Sequence, residues 1–243
     1  MDQKNRDTAV LIFSLSARRE AERKRLFGGG KKQGAGEFFD ILIGRTKKLA
    51  SASGADVYFI DEGKQRGHTF GERYANAFQD LFDKGYSKVV SIGNDAPELN
   101  AETLRKAIAE MQQNDLVVGP STDGGVYLLG LNGSLFNTDE FLNLPWLQDS
   151  LCDALAKSVY WQQGGSFSLD FFSDIDDTAS LLQFVQRTSD RFLVDFILIH
   201  LFRSKVSCGH RVAITFIDVH PSFLTLRGPP NTQTYTESVR KAA

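Results

Sequence analysis

"VVSIGNDAPEL", Val89 to Leu99, is the stretch that decides the fold. A β-branched apolar run (Val89, Val90, Ile92) stops at Gly93, and Asp95 and Pro97 follow at once. Branched side chains suit a pleated sheet, so Val-Val-x-Ile reads as a buried strand. Gly93 lets the backbone turn or approach a ligand closely, and Pro97 withholds a backbone donor. Asp95 is therefore expected just past the carboxyl end of a central strand, where open α/β sheets bind their ligands. Position alone equally allows Asp95 to cap the helix beginning near Asn100, or to order a turn.

Outward from this stretch, the chain alternates strands with amphipathic helices. "TAVLIFSL" (Thr8 to Leu15) predicts a first buried strand, and Val57 to Ile60 a second. Lys88 to Ile92 is the third strand, "DLVVG" before Pro120 the fourth, and Val126 to Leu131 the fifth. Between them, Phe38, Ile41, Leu42 and Leu49 recur at helical spacing. So do Phe70, Tyr74, Ala77, Phe78, Leu81 and Phe82, and then Leu104, Ala107, Ile108 and Met111. Leu147 to Tyr160 predicts a further helix and Phe167 to Phe172 a late strand. Strands alternating with helices of this length imply βαβ crossovers and a mainly parallel sheet.

The composition narrows the function classes. The 243 residues carry a formal net charge of −2, which gives no argument for nucleic acid or an acidic membrane as a partner. Two cysteines, Cys152 and Cys208, are too few for a disulfide framework. The longest apolar run, Phe192 to Phe202, is broken by Asp195 and His200, and a membrane span needs ~20 apolar residues. With no signal-like opening, these features predict a cytoplasmic globular protein without a membrane span. The four histidines are scattered without zinc spacing.

Three further stretches carry polar chemistry. After the first strand come a basic segment, Arg18 to Arg25, and the glycines of Gly28-Gly29-Gly30-Lys31-Lys32 and Gly34-Ala35-Gly36. Glycine and positive charge there suit a flexible loop around phosphates, although neither a Walker loop nor a dinucleotide fingerprint is present. "GPSTDGGVYLLGL" (Gly119 to Leu131) puts Thr122, Asp123, Gly124 and Gly125 between two strands. Bare backbone there suits a ligand, but a tight Asp-Gly hairpin explains the same residues and is favoured on this stretch alone. In "SDIDDTASL", Asp174 and Asp176 alternate, so in extended backbone they point the same way, as two ligands of a hard divalent cation would. Asp177 or Thr178 is a cap for the helix that follows.

Taken together, "FGERYANAFQDLFDKGYSKVVSIGNDAPEL", "GPSTDGGVYLLGL" and "SDIDDTASL" resemble a bacterial family of GT-A-like proteins, most of them uncharacterised and usually called glycosyltransferases. That family is similar to the nucleotidyltransferases that make molybdenum-cofactor dinucleotides and to 2-phospholactate guanylyltransferase. The resemblance implies a three-layer α/β/α sandwich with a nucleotide-diphospho-sugar transferase (GT-A, Rossmann-like) fold and a mixed, mainly parallel sheet over residues 1–188. It implies that Asp95 holds Mg2+ or Mn2+ on nucleotide phosphates, with Asp174 or Asp176 across the site. Gly93 and Asn94 are then expected at the phosphates, and Thr122, Asp123, Gly124, Gly125 and Tyr127 at the second substrate. Members usually carry a Pro-Gly turn and a Lys-Thr-Arg-Leu run after the first strand. In "ARREAERKRLF" only Arg23, Arg25 and Leu26 keep that register, with Lys24 where threonine is usual. Arg23 and Arg25 are thus the expected phosphate cations.

The resemblance implies a metal-dependent transferase acting on a nucleotide or nucleotide sugar and a small-molecule acceptor. A nucleotide-sugar donor would require a base for the acceptor hydroxyl, and Asp123 is the candidate. Nucleotidyl transfer from an NTP to a phosphorylated substrate would use the same metal without a strong base. A non-catalytic binding relic of the fold is the third reading. "DIDDT" also matches the aspartate phosphatase pattern, but the required later lysine and acidic pair do not follow, so that reading is rejected. Residues 189–243 form an extension without a functional assignment. "FLVDFILIHLF" is expected as a buried helix, and "HRVAITFIDV" with "SFLTLRG" as a hairpin. Packing on the core, a homodimer contact and partial disorder remain open for it.

Overall fold

The computed structural model describes residues 7–28, 32–158 and 165–202. Thr8–Phe13 (β1) is buried along its whole length. Its side chains divide by parity: Ala9, Leu11 and Phe13 enter one core, and Val10 and Ile12 enter another on the opposite face. A strand apolar on both faces belongs in the middle of a covered sheet. The other strands are β2 (Asp56–Ile60), β3 (Lys88–Ile92), β4 (Leu116–Pro120), β5 (Val126–Asn132) and β6 (Ser166–Ser168). They form one sheet in the order β2-β1-β3-β5-β4-β6. β1 pairs in parallel with both β2 and β3, and β4 with β6, whereas β5 runs antiparallel to β3 and β4.

The helices are α1 (Ala17–Arg23), α2 (Lys32–Ser51), α3 (Phe70–Asp83), α4 (Ala101–Glu110), α5 (Thr138–Leu142), α6 (Leu151–Lys157), α7 (Thr178–Arg187) and α8 (Arg191–Phe202). On one face, Tyr74, Phe78 and Leu81 of α3, Phe141 of α5 and Leu155 of α6 cover the sheet. On the other, Leu104, Ala107 and Ile108 of α4 and Ala50 of α2 cover Val10, Ile12, Val90 and Ile92. The result is the expected three-layer α/β/α sandwich. A third cluster joins Phe38 and Phe39 of α2 to Ala17 and Ala21 of α1, Leu181 and Phe184 of α7, and Leu193 and Ile197 of α8. Full burial of a phenylalanine stabilises by roughly 1.5–3 kcal/mol, so Phe38 and Phe39 anchor α8 to the first helices.

Three expectations shift. The basic segment expected as loop is largely helix α1, whose Ala17, Glu20 and Ala21 face inward while Arg18 and Arg19 pair with Glu22 along its exposed side. Gly34 and Gly36 lie inside α2 and cannot form a phosphate loop. A β-carbon on Gly34 would come within 2.5 Å of the His200 ring, so glycine there lets α8 approach α2 closely. The helix expected from Leu147 begins at Leu151, because Leu147 sits in the left-handed region (φ 63°) within the preceding turn. The late strand is confined to Ser166–Ser168, with a separate bridge from Phe172 to Ser121. Gly29 to Lys31, Cys208 and the hairpin expected in the tail lie outside the described residues. Among the described residues, no helix is long and apolar enough to cross a membrane.

Candidate active site

β1, β3, β4 and β6 point the same way, so the segments that follow them open on one edge of the sheet. β1 lies between β2 and β3, so the chain leaves β1 toward one side and returns on the other. Loops diverge at such a switch point and leave a crevice. Lys24, from the segment after β1, meets Asp95, from the segment after β3, in this region: Nζ lies 2.9 Å from Asp95 Oδ2 and 2.9 Å from Asp176 Oδ1.

Local backbone chemistry aims Lys24 inward. The chain becomes extended as α1 ends, with Lys24 at φ −101° and ψ 132°. Alternation then turns Arg23 and Arg25 to solvent and Lys24 and Leu26 inward. A parallel bridge joins Arg25 to Asp177, and the Thr178 hydroxyl donates to the carbonyls of Arg25 (3.1 Å) and Leu26 (2.9 Å). The Lys24 ammonium also lies 5.6 Å from the centre of the Phe39 ring. Arg23 and Arg25, the expected phosphate cations, stand exposed, and the inward cation is the residue between them.

The capping alternatives for the aspartates are resolved. Asn100 caps α4, accepting from the amides of Glu102 and Thr103, so Asp95 has no part in that cap. Asp177 caps α7 in a reciprocal arrangement with Ser180. Asp174 and Asp176, expected to act side by side, divide their contacts: Asp176 pairs with Lys24, and Asp174 accepts a 2.7 Å hydrogen bond from Ser121. The Ile175 amide donates to the Asp95 carbonyl (2.9 Å), which ties the two acidic segments together. A β-carbon on Gly93 would sit 2.8 Å from Asp95 Oδ1, so glycine leaves room for that carboxylate.

Charge states follow from these contacts. Burial opposes ionisation of Asp95, but the Lys24 ammonium outweighs it and holds the carboxyl below its usual range. Burial also works against the charge on Lys24, and Asp95, Asp176 and the buried Glu20 overcome that effect and keep it protonated. Asp174 goes the other way. Burial, with the nearby Asp95 and Asp123 charges, pushes it up to about 8. Its Oδ1, like Nδ2 of the buried Asn94, has no hydrogen-bond partner among the described residues.

The second loop is built mainly for itself. Ser121 to Gly125 closes the β4–β5 hairpin through Ser121 N to Gly125 O (2.9 Å) and Gly124 N to Ser121 O (3.1 Å). Asp123 is exposed, and its Oδ1 accepts from the Gly125 amide (3.0 Å). Gly124 has φ 89°, its carbonyl accepts from Cys152 N, and a β-carbon there would lie 1.8 Å from the Asp149 carbonyl oxygen. The bare backbone expected to face a substrate thus packs against the segment leading into α6. Tyr127 is buried, stacks on Phe172 at 4.7 Å between ring centres, and donates to the Asp170 carbonyl. Thr122 joins this loop to Ser173 (3.1 Å between hydroxyls).

The divalent ion expected on Asp95, Asp174 and Asp176 does not fit this arrangement. Lys24 Nζ stands between Asp95 and Asp176, and Asp174 is turned to Ser121. Among the described residues, no group of three or more His, Cys, Asp or Glu side chains is placed to hold a metal ion. Sequence reasoning missed Lys24, Ser121 and Glu20 as members of the cluster. The available signal for Lys24 was parity: in extended chain after α1, Arg23 and Arg25 share one side and Lys24 takes the other.

Comparison with solved structures agrees with this architecture. A protein of Desulfovibrio desulfuricans G20, named by inference as a nucleotide-diphospho-sugar transferase, matches with a TM-score of 0.64 at 21% identity. The match covers 80% of this chain and 98% of that one, and it establishes the fold. A homologue of Mycobacterium tuberculosis Rv0371c from Mycobacterium sp. strain JC1 matches at 10% identity and a TM-score of 0.46, over 79% of this chain and 98% of that one. Rv0371c of M. tuberculosis H37Rv, in complex with manganese, matches at 14% identity and a TM-score of 0.45, over 74% and 99%. No curated protein matches the sequence. Residues 45–148, from within α2 to the turn before α6, match the model of the bacterial family described as "Uncharacterized protein conserved in bacteria (DUF2064)", and the chain as a whole carries a nucleotide-diphospho-sugar transferase fold.

Proposed function

We propose that this protein is a transferase that binds a nucleotide sugar in the crevice between the carboxyl ends of β1 and β3 and passes the sugar to a small-molecule acceptor. The observation that carries this reading is the convergence of Lys24, Asp95, Asp174 and Asp176 at the switch point of the sheet, although they come from segments far apart in the chain. Breaking the bond between a sugar and a nucleoside diphosphate builds negative charge on the departing phosphate. Preorganised cations facing that charge lower the barrier because they need no reorganisation as it develops. Lys24, held between Asp95 and Asp176, supplies such a cation within the crevice. Asp123, exposed at the same edge and oriented by the Gly125 amide, is the proposed base for the acceptor hydroxyl.

A thermal-shift screen with NTPs and nucleotide sugars, each with Mg2+, with Mn2+ and with EDTA, tests the proposal. Stabilisation by a nucleotide sugar, followed by release of UDP or GDP once an acceptor is supplied, is the expected result. Pyrophosphate released from an NTP would assign nucleotidyl transfer instead. Stable binding without turnover of any donor would assign a binding relic, and no stabilisation by any nucleotide would remove the transferase reading.

A further inference from the structure

We propose that the Lys24 ammonium takes, between Asp95 and Asp176, the position a divalent cation would occupy, so that this chain binds its nucleotide without a metal and ammonium and metal exclude one another there. The inference rests on the site proposed above for its nucleotide arm and on geometry alone for its metal arm.

Three observations carry it. Nζ makes 2.9 Å contacts to one oxygen of each of two aspartates that come from different segments. This bridging of carboxylates by one positive centre is what a hard cation does with oxygen ligands. The lysine is built in: its side chain is only 12% exposed, its ammonium lies near Phe39, and Arg25 and Leu26 beside it are stitched to Asp177 and Thr178. Lastly, the carboxylates are accounted for, since Asp95 and Asp176 face Lys24 and Asp174 faces Ser121, which leaves no three-ligand group among the described residues. A divalent ion entering between Asp95 and Asp176 would have to displace the ammonium, and the two positive centres repel at that separation.

The same logic gives Lys24 a specific consequence for the diphosphate. An ammonium held by two carboxylates retains a third donor hydrogen for a phosphate oxygen. A tethered cation is always present, so nucleotide affinity becomes independent of the metal concentration.

The experiment titrates Mn2+ alone, followed by its electron paramagnetic resonance, into the wild-type protein and the Lys24→Met and Lys24→Thr variants. Thermal shifts with UDP, GDP, CDP and ADP are then measured in EDTA and in Mn2+. The wild type is expected to show no specific Mn2+ site, and equal shifts with its preferred nucleotide in both conditions. Removing the ammonium exposes the carboxylates, so each variant that folds is expected to bind Mn2+ at least about tenfold more tightly than wild type. Its nucleotide shift should then depend on Mn2+. Wild-type Mn2+ affinity equal to or above that of the variants overturns the proposal, as does a wild-type nucleotide shift that vanishes in EDTA. Should no nucleotide shift the wild type in either condition, the transferase reading fails, while the Mn2+ comparison still decides the role of Lys24. If neither variant folds, Asp95→Asn in the wild-type background decides: a wild-type Mn2+ signal that this change removes would overturn the proposal, and a wild type without one would uphold it.

Discussion

Two loops on the same edge of the sheet both carry the composition of a ligand site, and they use it in opposite ways. The strap at Lys24–Leu26 departs from the pattern usual in the similar family, yet it places a cation between two aspartates of the crevice. The hairpin at Ser121–Gly125 keeps its pattern, yet much of its polar and glycine chemistry serves its own turn and the packing of neighbouring segments. The difference lies in backbone accounting. Extended chain anchored by its carbonyls leaves side chains available, whereas a tight hairpin consumes them to satisfy its own amides.

The largest expected effect tests the internal character of the hairpin. Gly124→Ala forces a β-carbon toward the Asp149 carbonyl at a positive φ, and urea unfolding should show a loss of about 2–4 kcal/mol. A loss below about 0.5 kcal/mol would mean the turn is as adaptable as a ligand loop. Next comes the strap. Lys24→Met leaves Asp95 and Asp176 without their counter-charge, and since both are partly exposed the expected cost is about 1–2 kcal/mol, together with loss of the nucleotide shift in EDTA. Unchanged stability and ligand response would show Lys24 to be a surface pair.

A smaller effect is expected from Thr178→Val, which keeps the side-chain shape and removes the bonds to the Arg25 and Leu26 carbonyls. It should cost about 1 kcal/mol in chemical denaturation and weaken nucleotide binding through misplacement of Lys24. Binding at wild-type strength would show that the strap holds itself. The smallest change at neutral pH is expected from Asp174→Asn. The folded protein holds the Asp174 proton up to about 8, well above the ordinary aspartate value of 3.8, so it binds that proton more tightly than the unfolded chain. The stability contributed by this group is complete below the unfolded value and is lost as pH rises through the folded one. A melting series from about pH 5 to pH 9 should therefore fall less steeply for Asp174→Asn than for wild type. Parallel curves would place Asp174 among ordinary ionised carboxylates.

Much of the architecture was legible in the residues. β1, β3 and β5 announced themselves as apolar runs, and the aromatic stripe of α3 marked a core helix because burial of one face imposes helical spacing. The edge carrying Asp95 followed from strand direction alone. Helix α1 was obscured by its charges, since Arg18, Arg19 and Glu22 read as solvated loop until their pairing across a turn is seen. Gly34 read as loop because glycine is a helix breaker by propensity, and its use in close helix packing depends on a residue 166 positions away, His200. Lys24 was hidden between two arginines that fitted the expected register. Its inward direction depends on where α1 ends and on bonds from Thr178, and neither is written in local spacing.

The most direct test of the account is a crystal structure of the protein with a nucleoside diphosphate and Mn2+, with manganese located by its anomalous scattering. The account predicts the diphosphate in the crevice between the ends of β1 and β3, within hydrogen-bond reach of Lys24 Nζ, and no manganese peak between Asp95 and Asp176. A diphosphate bound away from that crevice, or manganese seated between the two carboxylates with Lys24 turned out, would contradict it.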